Sequence, residues 1–310
     1  FTQLNGGTYN ISLVVPTGYA TTTTNPVSKT VPPDAVVDFG IVEVVGAWWQ
    51  TKDADLWAQE DVSSAIPLQC VTSNQCTEEF SLIGTGGYPG VVVYGGATPA
   101  NFGQGKVSGK GWLANSGFAG KRYDYTWFTN LAPPEVFTDP QSVITGSSVN
   151  GGDLVSGYNH GGYVWRYKNG DLAINGTANL GDRKVILIVN GALTVNNNIT
   201  LTDNSGFFLV IAKGDIKLNP AVSHPNNPAL EGLFVTDGLF KTGGQATGND
   251  NRLHVRGSIA AWSGVNFERD LGTNGNKTNA AEFVEYAPDL VFSFPRELAR
   301  QGISWREVAP

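Results

Sequence analysis

Several kinds of residue are scarce in this chain of 310, and each scarcity excludes something. Charged residues make up only 15%, no basic run occurs, and the net charge is −7, from 20 basic and 27 acidic side chains. That balance argues against nucleic acid and against contact with an anionic membrane. No apolar stretch approaches the roughly 20 residues needed to span a bilayer. The three histidines, His160, His224 and His254, are scattered and form no metal-type pair, and neither a Gly-x-Ser-x-Gly elbow nor a phosphate loop is present. No established catalytic or cofactor-binding motif is therefore present. Methionine is absent, even at position 1, so the chain reads as a mature or trimmed piece of something longer.

The two cysteines, Cys70 and Cys76, enclose the short polar loop VTSNQ. Without a second Cys or His pair they make a poor zinc site. A small loop-closing disulfide in an oxidising, extracellular compartment is the first reading, with two free or spectator thiols as the other.

What the chain does have is 39 glycines and 16 prolines, the composition of many short strands joined by turns. From Tyr163 a repeat is plain. The strands VWRYKNG, ILIVNG, LVIAKG, LFVTDG and LHVRG each end in a marker glycine (Gly170, Gly191, Gly214, Gly238 and Gly257) and precede a second short strand. The steps are 21, 23, 24 and 19 residues. β-branched runs without a 3.6-residue period, recurring about every 20 residues, predict an all-β fold: a right-handed parallel β-helix, or solenoid. The glycines read as corners that need positive φ.

The runs Val185–Val189 and Phe207–Ile211 are apolar at every position, whereas Arg252 to Arg256 alternates. Strands apolar on both faces require a cover on each. The candidates are an inserted helix at 121–131, a C-terminal helix at 295–301 and another molecule. The first has apolar residues at 123, 127, 128 and 131 and is closed by Pro133-Pro134. It lies in an insertion spanning about 114–161. In the C-terminal segment, about 282–310, Leu290-Val291-Phe292 reads as a strand and Pro295 as the first residue of a short helix. This segment is expected to cap the solenoid.

Residues 1–43 have a different, Thr-rich texture, with Tyr9, Ile11, Leu13 and Val15 alternating and a last strand expected around Val36 and Phe39. Three stretches, Gly7-Thr8-Tyr9, Val15-Pro16-Thr17-Gly18-Tyr19 and Val37-Asp38-Phe39-Gly40, resemble the final strands of the B-type repeats of Gram-positive collagen adhesins. Those repeats are prealbumin-like β-sandwiches, so the resemblance implies a truncated repeat over 1–43, ahead of a solenoid domain over 44–310.

The body contains Trp48-Trp49-Gln50-x-Lys52-Asp53-Ala54-Asp55, Gly87-Tyr88-Pro89-Gly90-Val91, Gly111-Trp112-Leu113-Ala114-Asn115-Ser116, Lys121-x-Tyr123-Asp124-Tyr125, His254-Val255-Arg256-Gly257 and Ser304-Trp305-Arg306-Glu307-Val308-Ala309-Pro310. In these stretches it resembles the C-terminal module of very large secreted surface proteins of candidate-phyla bacteria. The resemblance implies an architecture, stalk repeats followed by a terminal solenoid at the cell surface, and no activity.

The expected role is therefore a non-enzymatic extracellular module for adhesion or for assembly into a filament, with self-association or neighbouring surface-protein subunits as partners. The alternative is a carbohydrate-binding or polysaccharide-degrading β-helix, with a glycan as partner. Its candidate residues are Asp171, Asp215 and Asp237 beside the corners, and Trp57, Trp112, Trp165 and Trp262 as a stacking platform. The first reading of the Asp residues is as corner formers, and of the Trp residues as core or corner packing. Asp203-Asn204-Ser205 and Asn249-Asp250-Asn251 suggest calcium loops but fall short of the ligand count.

Overall fold

The computed structural model describes residues 4–15, 19–33, 36–43, 46–60, 62–65, 81–82, 92–95, 113–115, 122–245 and 249–299. The chain divides into two compact units, Phe1–Gly46 and Ala47–Pro310. In the first, β1 (Gly7–Ile11) and β2 (Tyr19–Thr21) pair antiparallel with β3 (Val27–Val31) and β4 (Ile41–Glu43), respectively. The last strand thus begins beyond Val36 and Phe39. Asn25 braces Leu13 by donating to its carbonyl and accepting from its amide.

The second unit is a parallel β-solenoid of about five turns. Its strands are β5 (Trp49–Lys52), β6 (Leu56–Ala58), β7 (Ser81–Leu82), β8 (Val92–Tyr94), β9 (Leu113–Asn115), β10 (Ser148–Asn150), β11 (Tyr158–His160), β12 (Tyr163–Asn169), β13 (Leu172–Asn175), β14 (Ala178–Gly181), β15 (Lys184–Asn190), β16 (Leu193–Val195), β17 (Ile199–Leu201), β18 (Phe207–Ala212), β19 (Ile216–Leu218), β20 (Leu230–Thr236), β21 (Phe240–Lys241), β22 (Leu253–Ala261), β23 (Val265–Asn266) and β24 (Glu282–Glu285). One wall is a sheet in the order β11-β12-β15-β18-β20-β22-β24-β5-β7, and a second runs β10-β13-β16-β19-β21-β23. Inside, Val185, Leu187, Val189, Phe208, Val210 and Phe234 pack into one continuous core.

The register gives steps of 21 (Val164 to Val185), 23 (Val185 to Phe208), 24 (Leu209 to Leu233), 25 (Leu230 to Val255) and 29 (Val255 to Val284) residues. The first three match the spacing of the glycines. Gly257 does not belong to that series: it lies inside β22 opposite Gly232, and the corner partner of Gly238 is Ser263. The corner glycines also have a different reason from the one expected. Gly170 has φ 101°, but at Gly191 the constraint is close stacking, since a Cβ would lie 2.5 Å from the Gly170 carbonyl carbon.

The spatial order of coils departs from the chain order. β5, near the start of this unit, pairs in parallel with β24, near its end, through Glu282↔Trp49 to Glu285↔Lys52. β24 is therefore an interior strand and not the start of a cap. β6, β8 and β9 stack in parallel in chain order beside this continuation.

The outer face of the main wall is covered from within the chain, by two pieces. The first is the expected insertion helix, α1 (Tyr125–Leu131), with Asp124 as its N-cap accepting the Trp127 amide at 2.9 Å. A 3₁₀ turn at Pro134–Phe137 extends it. The second is the segment 287–298. Here Leu290 lies in a helix, not a strand: α2 (Gly272–Gly275) precedes β24, and α3 (Pro288–Phe292) follows it with Pro288 at its first turn. The helix expected from Pro295 is instead a turn at 296–299. Tyr125, Phe128, Val136, Leu290 and Leu298 bury Ile186, Ile188, Phe207, Leu209 and Ile211. The two pieces meet at Phe294, whose ring lies 6.5 Å from Phe128 and 6.4 Å from Phe207.

Leu290 is fully buried in this layer. Leu290→Asp is expected to destabilise the protein by about 3 kcal/mol and to expose the strip at Phe207 and Leu209. Increased binding of a hydrophobic dye, together with a lowered melting temperature, checks this.

Candidate functional site

The residues named for chemistry turn out to tie coils together. Asp171 and Asp215 sit at alternate corners, two coils apart, and accept the Ala192 amide (2.8 Å) and the Leu239 amide (2.9 Å) of the coils that follow. Asp215 also pairs with Lys241 at 2.6 Å, and that hydrogen bond holds its carboxyl below the usual range. Asp237 accepts the Tyr125 amide at 3.0 Å and so anchors the start of α1. The three carboxylates therefore do not converge. In the loops that suggested calcium, Asp203 lies 3.6 Å from Arg256, and Asp250 accepts the Gln245 and Asp270 amides. Among the described residues, no group of three or more His, Cys, Asp or Glu could hold a metal ion.

His224 accepts two loop amides, from Asn226 and Asn227, on Nδ1. His160 accepts the Trp165 indole N–H on its carbonyl. Trp165 is fully buried in the outer layer, and this corrects its placement on a platform: its ring packs against the helix cover and presents no face to a ligand. Trp57 is 42% exposed. Trp262 carries the Arg122 guanidinium 5.2 Å from its ring centroid and donates to the Tyr123 carbonyl. Trp112, Cys70 and Cys76 lie outside the described residues. Trp57 and Trp262 line one hollow of about 1460 Å³, shared with Trp49, Tyr286, Glu282 and Thr51. The Thr51 hydroxyl, buried there, has no hydrogen-bond partner among the described residues.

Two arrangements were not foreseen. On the outer face, Glu231, Arg256, Glu285 and Lys52 occupy one register across β20, β22, β24 and β5, alternating in charge. Arg256 pairs with Glu231 at 3.3 Å and Asp289 at 2.7 Å, while Glu285 pairs with Lys52 at 2.5 Å and His254 Nε2 at 3.0 Å. Burial pulls the Glu285 carboxyl up, but Lys52 and His254 outweigh it and leave it below the usual range. Burial lowers His254, with Glu285 offsetting only part of that.

Inside the solenoid, Arg269 is 1% exposed and Glu282 2%. The guanidinium donates to the carbonyls of Asn219, Pro220, Thr242 and Asn251, bridging successive coils. Glu282 accepts from the Thr242 hydroxyl (2.7 Å) and the Arg269 amide (2.9 Å). Burial pushes its carboxyl up from 4.5 to about 7.

A raised carboxyl favours the folded state while protonated. Its contribution is complete below pH 4.5 and is lost as pH rises through about 7. Glu282→Gln is therefore expected to remove, between pH 5 and 8, a decline of about 3 kcal/mol. Urea titrations of both proteins across that range measure the difference in slope and cancel the opposite trend from His254.

This part of the chain is defined by its fold, a parallel β-solenoid with a covered wall and coil-to-coil polar ties. Comparison with family models, curated proteins and solved structures finds no match for the chain. Among the described residues no helix is long and apolar enough to cross a membrane.

Proposed function

We propose that the chain is a non-enzymatic module of an extracellular bacterial surface protein, serving adhesion or assembly into a fibre or array. The observation that supports this reading is the use made of its polar side chains. Asp171, Asp215, Asp237, Glu231, Arg256, Glu285 and Arg269 each bind another coil or the cover, which suits a rigid element. The resemblance of the sequence to large secreted surface proteins, with B-type repeats ahead of a solenoid, supports the same reading. Electron microscopy of concentrated full-length protein is expected to show filaments or ordered arrays. A particle that stays monomeric at every concentration and adheres to no surface sinks the proposal.

The hollow lined by Trp57, Trp262 and Tyr286 favours a second reading, carbohydrate recognition, because ring faces beside hydroxyl and carboxyl groups suit sugars. A glycan array with no hit, together with no turnover of acidic polysaccharide, removes it.

A further inference from the structure

The pairing of β5 with β24 joins the beginning and the end of the solenoid unit. Their ladder runs from the Ala281 amide on the Trp48 carbonyl (2.7 Å) to the Tyr286 amide on the Lys52 carbonyl (3.1 Å). The two strands are parallel. The chain enters β5 at Trp49 and leaves β24 at Glu285, which are opposite ends of the paired stretch. Tension that enters before Trp49 and leaves after Glu285 therefore pulls the strands in opposite directions along their own axes. Every hydrogen bond between them is strained at once, in shear, and none can be peeled open singly. An antiparallel pair loaded at its shared end would open one bond at a time.

We propose that β5 and β24 form a load-bearing clamp, which carries tension across the module and shields residues 53–281 from it. The proposal rests on the reading of the chain as an element of a surface protein. Side chains reinforce the pair at both ends. Lys52 and Glu285 bond at 2.5 Å at its exit end, and the Trp48 indole donates to the Asn276 carbonyl at 2.8 Å at its entrance. β24 is held on its other edge by β22, and β5 by β7, so neither strand is a free edge. The segment after β24 must yield first. It is fixed by Asp289 to Arg256, by the Ser293 carbonyl to the Tyr163 hydroxyl, and by Leu290 and Leu298 in the outer layer. A small early extension as this cover detaches should therefore precede the main event.

Optical tweezers at constant force, with handles at the two ends of the full chain, test this. The expected record is a brief early step followed by one long-lived state, whose rupture frees the shielded chain in a single event. Forced unfolding reads the unfolding rate, so Lys52→Gln should shorten that dwell by up to about fivefold, as should Glu285→Gln. A second geometry, with handles inserted between Gly161 and Gly162 and between Asn226 and Asn227, leaves both β5 and β24 outside the loaded segment. There Lys52→Gln should leave the dwell unchanged. Stepwise release of chain at low force with no long-lived state, or equal effects of Lys52→Gln in both geometries, overturns the clamp. Because the measurement is made on isolated molecules, it is decided separately from the adhesion and assembly tests above.

Discussion

Arg269→Met is expected to lower stability by about 3–5 kcal/mol, because several buried carbonyls lose a charged hydrogen-bond donor at about 1–3 kcal/mol each, and the melting temperature by about 10 °C. The side chain is 1% exposed, and its guanidinium supplies donors to carbonyls at Asn219, Pro220, Thr242 and Asn251. These oxygens lie where successive coils leave the regular ladders, so no neighbouring strand can satisfy them. Methionine fills much of the volume and supplies no donor; the Asn219 carbonyl keeps the Val222 amide at 2.9 Å, while the other carbonyls are left buried and short of partners. Glu282 and Asp250 lose their positive neighbour in the same step, as the electrostatic influence of both on Arg269 indicates. Adding Glu282→Gln to Arg269→Met should recover part of the loss at pH 8, where the unneutralised carboxylate is most unfavourable. Chemical denaturation of the parent, both single variants and the double variant gives the coupling. An Arg269→Met protein as stable as the parent would show that the carbonyls find other donors and that Arg269 does not hold these coils.

How much of this was legible in the sequence depended on distance along the chain. Between Tyr163 and Lys241 each coil stacks on its immediate successor, so the period appears directly in the spacing of Gly170, Gly191, Gly214 and Gly238. The cover was legible as well, because Val185–Val189 and Phe207–Ile211 are apolar on faces that a bare solenoid would expose. The second of its two pieces differs from the expectation: Pro288 rather than Pro295 opens the C-terminal helix, and Leu290 faces the outer layer. The stacking of β5 on β24 was illegible. Lys52 and Glu285 are 233 residues apart, and nothing in either strand's own pattern names the other. The polar ties were hidden for the same reason. Arg269 sits in an unremarkable FERD stretch, and its partners are main-chain oxygens, which leave no trace in a sequence. One signal was present and unused: Glu231-Gly232 and Arg256-Gly257 place a charge followed by glycine in successive strands, and this marks the true register there.

That register carries the last prediction. Gly257→Ala is expected to destabilise the protein by more than about 4 kcal/mol, beyond the usual range for a single substitution. Gly232 and Gly257 face each other in the middle of β20 and β22, and each has φ near 145°, a backbone conformation that L side chains rarely adopt. Strain alone would account for about 1–3 kcal/mol. The steric term is larger: a Cβ at Gly257 would lie 1.8 Å from the Gly232 carbonyl oxygen. That atom is main chain, so relief requires the strands to separate, and separating them breaks the register that aligns Arg256 with Glu231 on one side and Glu285 on the other. Gly232→Ala makes a milder clash, 2.8 Å from the Phe208 carbonyl oxygen, and should be less severe. By contrast, Gly170→Ala adds a Cβ with nothing within 4 Å and should suffer only the strain of its φ of 101°. Denaturation midpoints of the three variants should therefore rank Gly257→Ala lowest, then Gly232→Ala, then Gly170→Ala. A Gly257→Ala protein with the stability of Gly170→Ala would mean that β20 and β22 do not approach each other as closely as this register requires.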